Sequence, residues 1–149
     1  MLAVDPGDRF AVIEVGASGP GEIGPLSRLV RPAAAVLTGC GRAHLSGFGS
    51  VKALFEEKVR LLEAVQPGGL AVIPADCQRR MPRLAKGVHV VTVGVERGAD
   101  IVATGIEHDS GMLRFVVSGQ RFEVPVAGRH FVRAALSAVA VGRWRGISD

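Results

Sequence analysis

The chain has 149 residues, of which 48% are hydrophobic and 21% are charged. This length suits one folded domain with a real core, and the composition leaves little room for disorder. No apolar run approaches the roughly 18 residues that a membrane helix needs, and the first ten residues show no secretory signal pattern. We therefore expect a cytoplasmic globular protein with no membrane partner.

The net charge of +4 comes from 18 basic and 14 acidic residues. Nucleic-acid binding usually calls for a basic stripe interleaved with aromatic residues, and aromatics make up only 5% of this chain. An anionic small molecule accounts for the mild positive bias equally well, so we expect no nucleic-acid partner. The two cysteines, Cys40 and Cys77, follow neither a CxxC nor a zinc-ligand spacing, which favours reduced thiols over a disulfide.

Apolar runs and helical periodicities alternate through the first 98 residues. Short β-branched runs predict buried strands at residues 10–15, 33–38, 69–73 and 88–93. Periodic apolar residues predict helices at 22–30, at 78–84 and after Ser50, which is a good N-cap. The core-facing positions of that last helix are predicted to be Val51, Leu54, Phe55, Leu62 and Val65. This alternation is typical of a mostly parallel sheet flanked by helices, the α/β class.

After Gly98 the pattern changes. Alternating runs separated by Asp109-Ser110-Gly111 and Ser118-Gly119 predict an antiparallel β-meander over about residues 100–126. A helix rich in alanine and valine is predicted at 129–141. We interpret residues 1–149 as a single domain whose core comprises about 10–98 and 128–142, with the meander as a small β appendage.

The candidate chemistry lies where the predicted parallel strands end, because ligands of open sheets gather beyond the carboxyl ends of the strands. Glu14 lies near the end of the first strand, and His44 follows the second strand in a glycine-rich loop. A carboxylate and an imidazole with open coordination sites could hold a divalent ion beside a phosphate. Alternatively, Glu14 is a strand-edge residue and His44 a loop histidine bonded to the backbone.

Lys58 falls on the predicted core-facing stripe of its helix, four residues from both Leu54 and Leu62. Removal of an amine from water disfavours its charged form. A neutral lysine amine can react with carbon dioxide to form a carbamate, which offers anionic oxygens to a metal. The alternative is that Lys58 extends along the stripe and reaches solvent at its rim.

Three further features are ambiguous. The glycine-rich stretch 16–24 lacks both the GxxxxGK[ST] and the GxGxxG spacing, so it is more typical of a turn than of a phosphate-binding loop. Asp76 follows the third strand and is either a site residue or a turn former. His130 opens the last helix, where backbone amides favour anions, or is simply a helix-start residue.

Four segments together resemble one known family. They are VIEVGASGPGEIGPLSRLVRP, AAVLTGCGRAHLSGFGSVKALFEEK, GLAVIPAD and VPVAGRHFVRAALSAVAV, and they extend from about residue 10 to 141. In this order they resemble the central domain of the Mur ligases, most of all the type that adds D-alanyl-D-alanine to a UDP-linked muramoyl peptide. The segment AHLxGFGS, followed by a lysine eight residues after its serine, is the most specific part of this resemblance.

The resemblance implies a P-loop-NTPase-like α/β domain of a peptidoglycan-precursor ligase. In that family ATP phosphorylates a peptide carboxylate, and an incoming amine attacks the acyl phosphate to form an amide. By resemblance Glu14 and His44 are Mg²⁺ ligands, Lys58 is a carbamylated lysine supporting a second Mg²⁺, and His130 and Asp76 lie on the nucleotide side. The implied partners are UDP-linked muramoyl peptide, D-alanyl-D-alanine, and the family's N- and C-terminal domains or another protein chain.

The chain also departs from the family pattern. No P-loop precedes the strand that carries Glu14, and asparagine positions of the family are occupied by Gly39, Pro74, Phe131 and Ala134. We therefore expect an incomplete central domain that is inactive as an isolated chain. The alternative is a non-catalytic Mur-like module that has lost nucleotide binding and acts through protein association. A folylpolyglutamate synthase is disfavoured by the AHLxGFGS and GRH segments.

Overall fold

The computed structural model describes residues 5, 7–39 and 45–148. Four strands form a parallel sheet in the spatial order β1-β2-β3-β4: β1 (Ala34–Val36), β2 (Leu70–Pro74), β3 (His89–Gly94) and β4 (Ile101–Val102). Three more strands form an antiparallel meander: β5 (Thr104–Asp109), β6 (Met112–Val117) and β7 (Gln120–Val124). The predicted α/β class with a small antiparallel appendage is thus confirmed.

The α-helices are α1 (Ile23–Val30), α2 (Leu45–Phe48), α3 (Val51–Glu63) and α4 (Val132–Trp144). Ser50 caps α3 as predicted, since its side-chain oxygen accepts a hydrogen bond from the Ala53 amide at 3.1 Å. Short 3₁₀ helices at Ala75–Arg80 and Arg129–Phe131 follow β2 and precede α4. None of the helices in the described ranges is long and apolar enough to span a bilayer.

The parallel sheet is buried on both faces, and β2 shows this most clearly because all five of its residues are buried. Leu70 and Val72 lie in a cluster with residues of α4 and the meander, whereas Ala71 and Ile73 lie in a second cluster with residues of α3. Successive residues of a strand point to opposite faces, so each face receives alternate side chains. The continuous apolar sequence of β2 follows from this double burial.

β3 and the loop before β4 are joined by three hydrogen bonds between two residues. The buried Thr92 donates its amide and its hydroxyl to Asp100 Oδ2, at 2.8 and 2.7 Å, and its hydroxyl oxygen accepts from the Asp100 amide at 2.8 Å. These bonds lower the pKa of Asp100, the Thr92 amide being the largest cause and the Thr92 hydroxyl the next. The contact fixes the loop that brings β4 beside β3.

The predicted first strand, at residues 10–15, is wrong. This segment has no regular secondary structure within the described part of the chain, and Val12 is 98% exposed. A strand needs a neighbour with which to exchange backbone hydrogen bonds, and β1 forms the end of the sheet without pairing to this segment. The Phe10 ring instead lies 4.8 Å from the Arg145 guanidinium, just beyond α4.

Two predictions about burial and strand direction also fail. Val51 is exposed because it lies in the first turn of α3, one turn before the cluster that contains Phe55. In α1, which forms as predicted, Leu26 and Leu29 are exposed because the helix packs its other face, with Ile23, Gly24 and Ser27, against α3. Residues 101–102 were assigned to the antiparallel meander, but β4 pairs in parallel with β3.

The helix predicted at residues 78–84 is also misplaced. The described chain has a 3₁₀ helix at Ala75–Arg80, and Met81 after it is extended. Pro82 lacks an amide hydrogen and disfavours helical geometry at the residue before it, so a helix cannot continue through this point. Cys77 in this 3₁₀ helix is buried and forms no disulfide with any described residue, and Cys40 lies outside the described residues.

Candidate functional site

Glu14 lies in a segment without regular secondary structure that leads into the glycine-rich stretch 16–24, and not at the end of a strand as predicted. Its side chain is exposed, and no hydrogen bond or ion pair to it is formed within the described ranges. His44, the second predicted metal ligand, lies outside the described residues, so its position relative to Glu14 stays a prediction.

The amine of Lys58 lies at the carboxyl end of β1. Its Nζ donates a hydrogen bond to the carbonyl oxygen of Gly39 at 3.1 Å, and the side chain is half-buried. Gly39 comes three residues after the last residue of β1 and five before His44. Lys58 thus neither sits deep in the core nor extends freely into solvent, but reaches the edge of the sheet where the strand ends.

The loop after Glu14 lies directly against α2. Ser18 donates its amide to Glu22 Oε2 at 2.9 Å, which closes the turn that precedes α1. The carbonyl oxygen of Ser18 approaches Gly47 so closely that a Cβ on Gly47 would overlap it. Since α2 begins at the residue after His44, this contact brings the Glu14 loop to the segment that follows His44.

Glu57 is a buried acid that the sequence analysis missed. Its side chain is 4% exposed and accepts a hydrogen bond from the Ile23 amide, at the first residue of α1, through Oε1 at 2.7 Å. Oε2 of the same carboxylate lies 3.3 Å from Nε of Arg60. The helical spacing indicates its burial, because Glu57 lies three residues after the buried Leu54 and adjacent to Lys58. An acid at that position needs a buried partner.

Asp76 and the start of α4 lie close together. Asp76 Oδ2 forms an ion pair with Nη2 of Arg133 at 3.1 Å, which joins the 3₁₀ helix after β2 to the first turn of α4. His130 lies in the 3₁₀ turn just before α4, and its exposed ring packs on Phe131 with ring centroids 4.2 Å apart. Arg133 was not singled out from the sequence, because nothing local marks it as the partner of Asp76.

One cavity in the described part of the chain contains none of these predicted site residues. It is a groove of about 640 Å³ along α3, lined by Lys52, Phe55, Glu56, Val59, Arg60, Glu63 and Pro82. Its open, mixed-charge lining offers no convergent set of polar groups of the kind that fixes a small ligand. The candidate chemistry therefore lies at the carboxyl end of β1, where the Lys58 amine is placed.

The chemistry of Glu14 and of a carbamylated Lys58 would suit a hard divalent cation such as Mg²⁺. Glu14 offers an exposed carboxylate, and a carbamate on Lys58 would add anionic oxygens of the type that Mg²⁺ prefers. No three acidic, histidine or cysteine side chains within the described ranges are grouped closely enough to hold an ion by themselves. A metal centre at Glu14 would therefore need further ligands, for which His44, Lys58 and a substrate oxygen are the candidates.

The chain belongs to the Mur ligase middle domain family, whose model matches residues 1–142. It is 29% identical, over 150 aligned residues, to UDP-N-acetylmuramoyl-tripeptide–D-alanyl-D-alanine ligase of Bacillus subtilis. The match covers 99% of this chain and 32% of that protein. The chain thus spans about a third of the relative's length.

Solved structures give the same result. The crystal structure of MurF from Acinetobacter baumannii superposes with a TM-score of 0.87 at 30% identity, covering 97% of this chain and 33% of the other. The MurF ligase of Thermotoga maritima, solved in complex with ADP, has a TM-score of 0.71 at 25% identity and covers 89% of this chain and 32% of the other. The fold described above is therefore that of the MurF central domain.

Proposed function

We propose that this chain is the central, ATPase-type domain of an ATP-dependent ligase that forms an amide bond on a peptidoglycan precursor through an acyl phosphate. The family match supports this proposal. The structural observation that carries it is the Lys58 amine at the carboxyl end of β1, bonded to Gly39. This is the edge at which open parallel sheets bind their ligands.

Glu14, His44 and Lys58 would hold two Mg²⁺ ions, Glu14 and His44 as direct ligands and Lys58 through a carbamate. Bound Mg²⁺ would neutralise the anionic oxygens of ATP and of the acceptor carboxylate, which otherwise repel each other. The role of Lys58 is to place an anionic group at the end of β1. The role of Glu14 is to offer a carboxylate from the neighbouring loop, whose position against α2 is fixed by Gly47 and Ser18.

The substrates follow from the relatives' names and are part of the proposal. They are a UDP-linked muramoyl tripeptide and D-alanyl-D-alanine, with the remaining two thirds of a Mur ligase as structural partners. Asp76 and His130 would lie on the nucleotide side, since the Asp76–Arg133 ion pair joins the end of β2 to the start of α4 near His130. Such a reaction would take place in the cytoplasm, where ATP is available.

A second candidate is a non-catalytic module that has lost nucleotide binding. The observation in its favour is that Phe131, where the family pattern has an asparagine, packs against the His130 ring. Either way we expect the 149-residue polypeptide, tested alone, to bind ATP weakly, because it contains no GxxxxGK[ST] sequence to hold the phosphates. Calorimetry with ATP and Mg²⁺ checks this, and micromolar affinity would contradict it.

Metal binding separates the two candidates. We would titrate the chain with Mn²⁺ in bicarbonate buffer, follow free Mn²⁺ by electron paramagnetic resonance, and look for a lysine carbamate by NMR with ¹³C-bicarbonate. The ligase domain predicts a carbamate signal and Mn²⁺ binding that Lys58→Met and Glu14→Gln each weaken about tenfold or more. Lys52→Met, on the same helix but 82% exposed, is the matched control. Equal behaviour of the two lysine variants would refute the proposed site.

A further inference from the structure

Glu57 joins α3, which carries Lys58, to the start of α1, which follows the loop after Glu14. It belongs to α3, one residue before Lys58, and its carboxylate accepts the Ile23 amide at 2.7 Å across the α1–α3 contact. Ile23 directly follows Glu22, whose own carboxylate accepts from Ser18. A short run of hydrogen bonds therefore leads from α3 to the loop that begins after Glu14.

The loop has a second fixed point on its other side. The carbonyl oxygen of Ser18 lies against Gly47 of α2 with no room for a side chain between them. Glu57 fixes the far end of the same loop at Ile23. These two contacts fix residues 18–23 relative to α2 and α3. Glu14 lies four residues before Ser18, so the place from which its segment starts depends on how this loop is held.

We propose that Glu57 is a positioning residue, which keeps the loop after Glu14 at a fixed position relative to the amine of Lys58. This inference rests on the proposed function, because the quantity that Glu57 would change is the affinity of the proposed metal site. Glu57 itself need not touch metal or nucleotide: both of its oxygens are already engaged, by Ile23 and by Arg60, and the side chain is almost fully buried. Outer contacts that orient ligands typically change metal affinity by about 10- to 100-fold.

Two conservative variants separate the length of the Glu57 side chain from its charge. Glu57→Asp keeps the charge but shortens the side chain by one methylene, so the hydrogen bond to the Ile23 amide is lost. Glu57→Gln keeps the reach and an acceptor oxygen but removes the charge. A positioning role predicts that the aspartate variant is impaired and the glutamine variant is not. A long-range effect of the Glu57 charge on a bound cation predicts the reverse.

The experiment measures Mn²⁺ affinity and amide hydrogen exchange for the 149-residue chain and four variants. We expect Glu57→Asp to weaken Mn²⁺ binding about tenfold or more and to speed exchange at Ile23 by a similar factor. Glu57→Gln should stay within about threefold of wild type. Glu56→Ala is the neighbouring exposed control, and Thr92→Val is a destabilising control in β3, which does not pair with β1.

Each outcome gives a distinct conclusion. Wild-type affinity in Glu57→Asp would overturn the positioning role while leaving the proposed metal site intact. Equal losses in Glu57→Asp and Thr92→Val would overturn it as well, because the effect would then follow overall stability. If wild type itself binds no Mn²⁺, the proposed function fails at its metal site and the inference fails with it. Only a loss confined to Glu57→Asp, with faster exchange at Ile23, supports the proposal.

Discussion

The Thr92–Asp100 contact allows one substitution to be worked through in numbers. Thr92→Val keeps the shape of a buried side chain but removes the hydroxyl, and with it two of the three hydrogen bonds to Asp100. A neutral hydrogen bond contributes about 0.5–1.5 kcal/mol and one to a charged acceptor about 1.5–3 kcal/mol. Because Asp100 is itself exposed to water and screened, and the new methyl group is buried, we expect a net loss of about 1–2 kcal/mol at pH 7.

The same contact predicts how this loss depends on pH. The pKa of Asp100 is lowered in the folded protein, first by the Thr92 amide and then by the Thr92 hydroxyl. A lowered pKa means that the stabilisation is present above the unfolded-state pKa of about 3.9 and is lost as the pH falls through the lower folded-state value. The difference between wild type and Thr92→Val should therefore be largest near neutral pH and should shrink below about pH 4.

Urea unfolding followed by circular dichroism at pH 7, 5 and 3 measures this difference. Thr104→Val makes the same chemical change at an exposed position, where the hydroxyl lies 3.5 Å from the Val116 carbonyl, and should cost less than about 0.5 kcal/mol. A loss for Thr92→Val that is equal at pH 7 and pH 3 would show that the carboxylate charge takes no part. No loss at pH 7 would refute the energetic role of the hydroxyl altogether.

Two further substitutions test the packing. Leu62→Ala removes a fully buried side chain between α3 and the sheet and should reduce the free energy of unfolding by about 2–5 kcal/mol. Leu29→Ala is the control, because its side chain is 82% exposed, and it should change that free energy by less than about 0.5 kcal/mol. Gly47→Ala should lower the melting temperature, because its Cβ overlaps the Ser18 carbonyl and the loop has to move, whereas Gly16→Ala meets open space. Equal melting temperatures for the two glycine variants would contradict the close contact.

Local signals in the sequence predicted most of the fold. Ser50 predicts the start of α3 because a hydroxyl at that position accepts an orphan amide, and the structure shows this bond. The turns at Ser110-Gly111 and Ser118-Gly119 are predicted by residues that tolerate positive φ, and all four have it, at 40°, 81°, 52° and 86°. The apolar run of β2 likewise predicts a strand buried on both faces.

Features that depend on distant neighbours were not predictable in this way. The run at residues 10–15 has the composition of a strand, but strand formation requires a pairing edge that no local pattern can supply. The buried face of α1 is the one with Gly24 and Ser27, since small residues let α3 approach, and the larger leucines remain outside. At the candidate site, Glu57 and Arg133 acquire their roles only from partners 34 and 57 residues away.

The unpaired run at residues 10–15 has a consequence for how the chain behaves in solution. Phe10 and Val12 are exposed in a six-residue segment of high β-propensity, and among the described residues the terminal strand β1 pairs on one side only. Exposed apolar segments and open sheet edges are where separate copies of a chain add to one another. Self-association of the isolated polypeptide should therefore begin in this region and rise with concentration, and a charged residue at position 12 should suppress it.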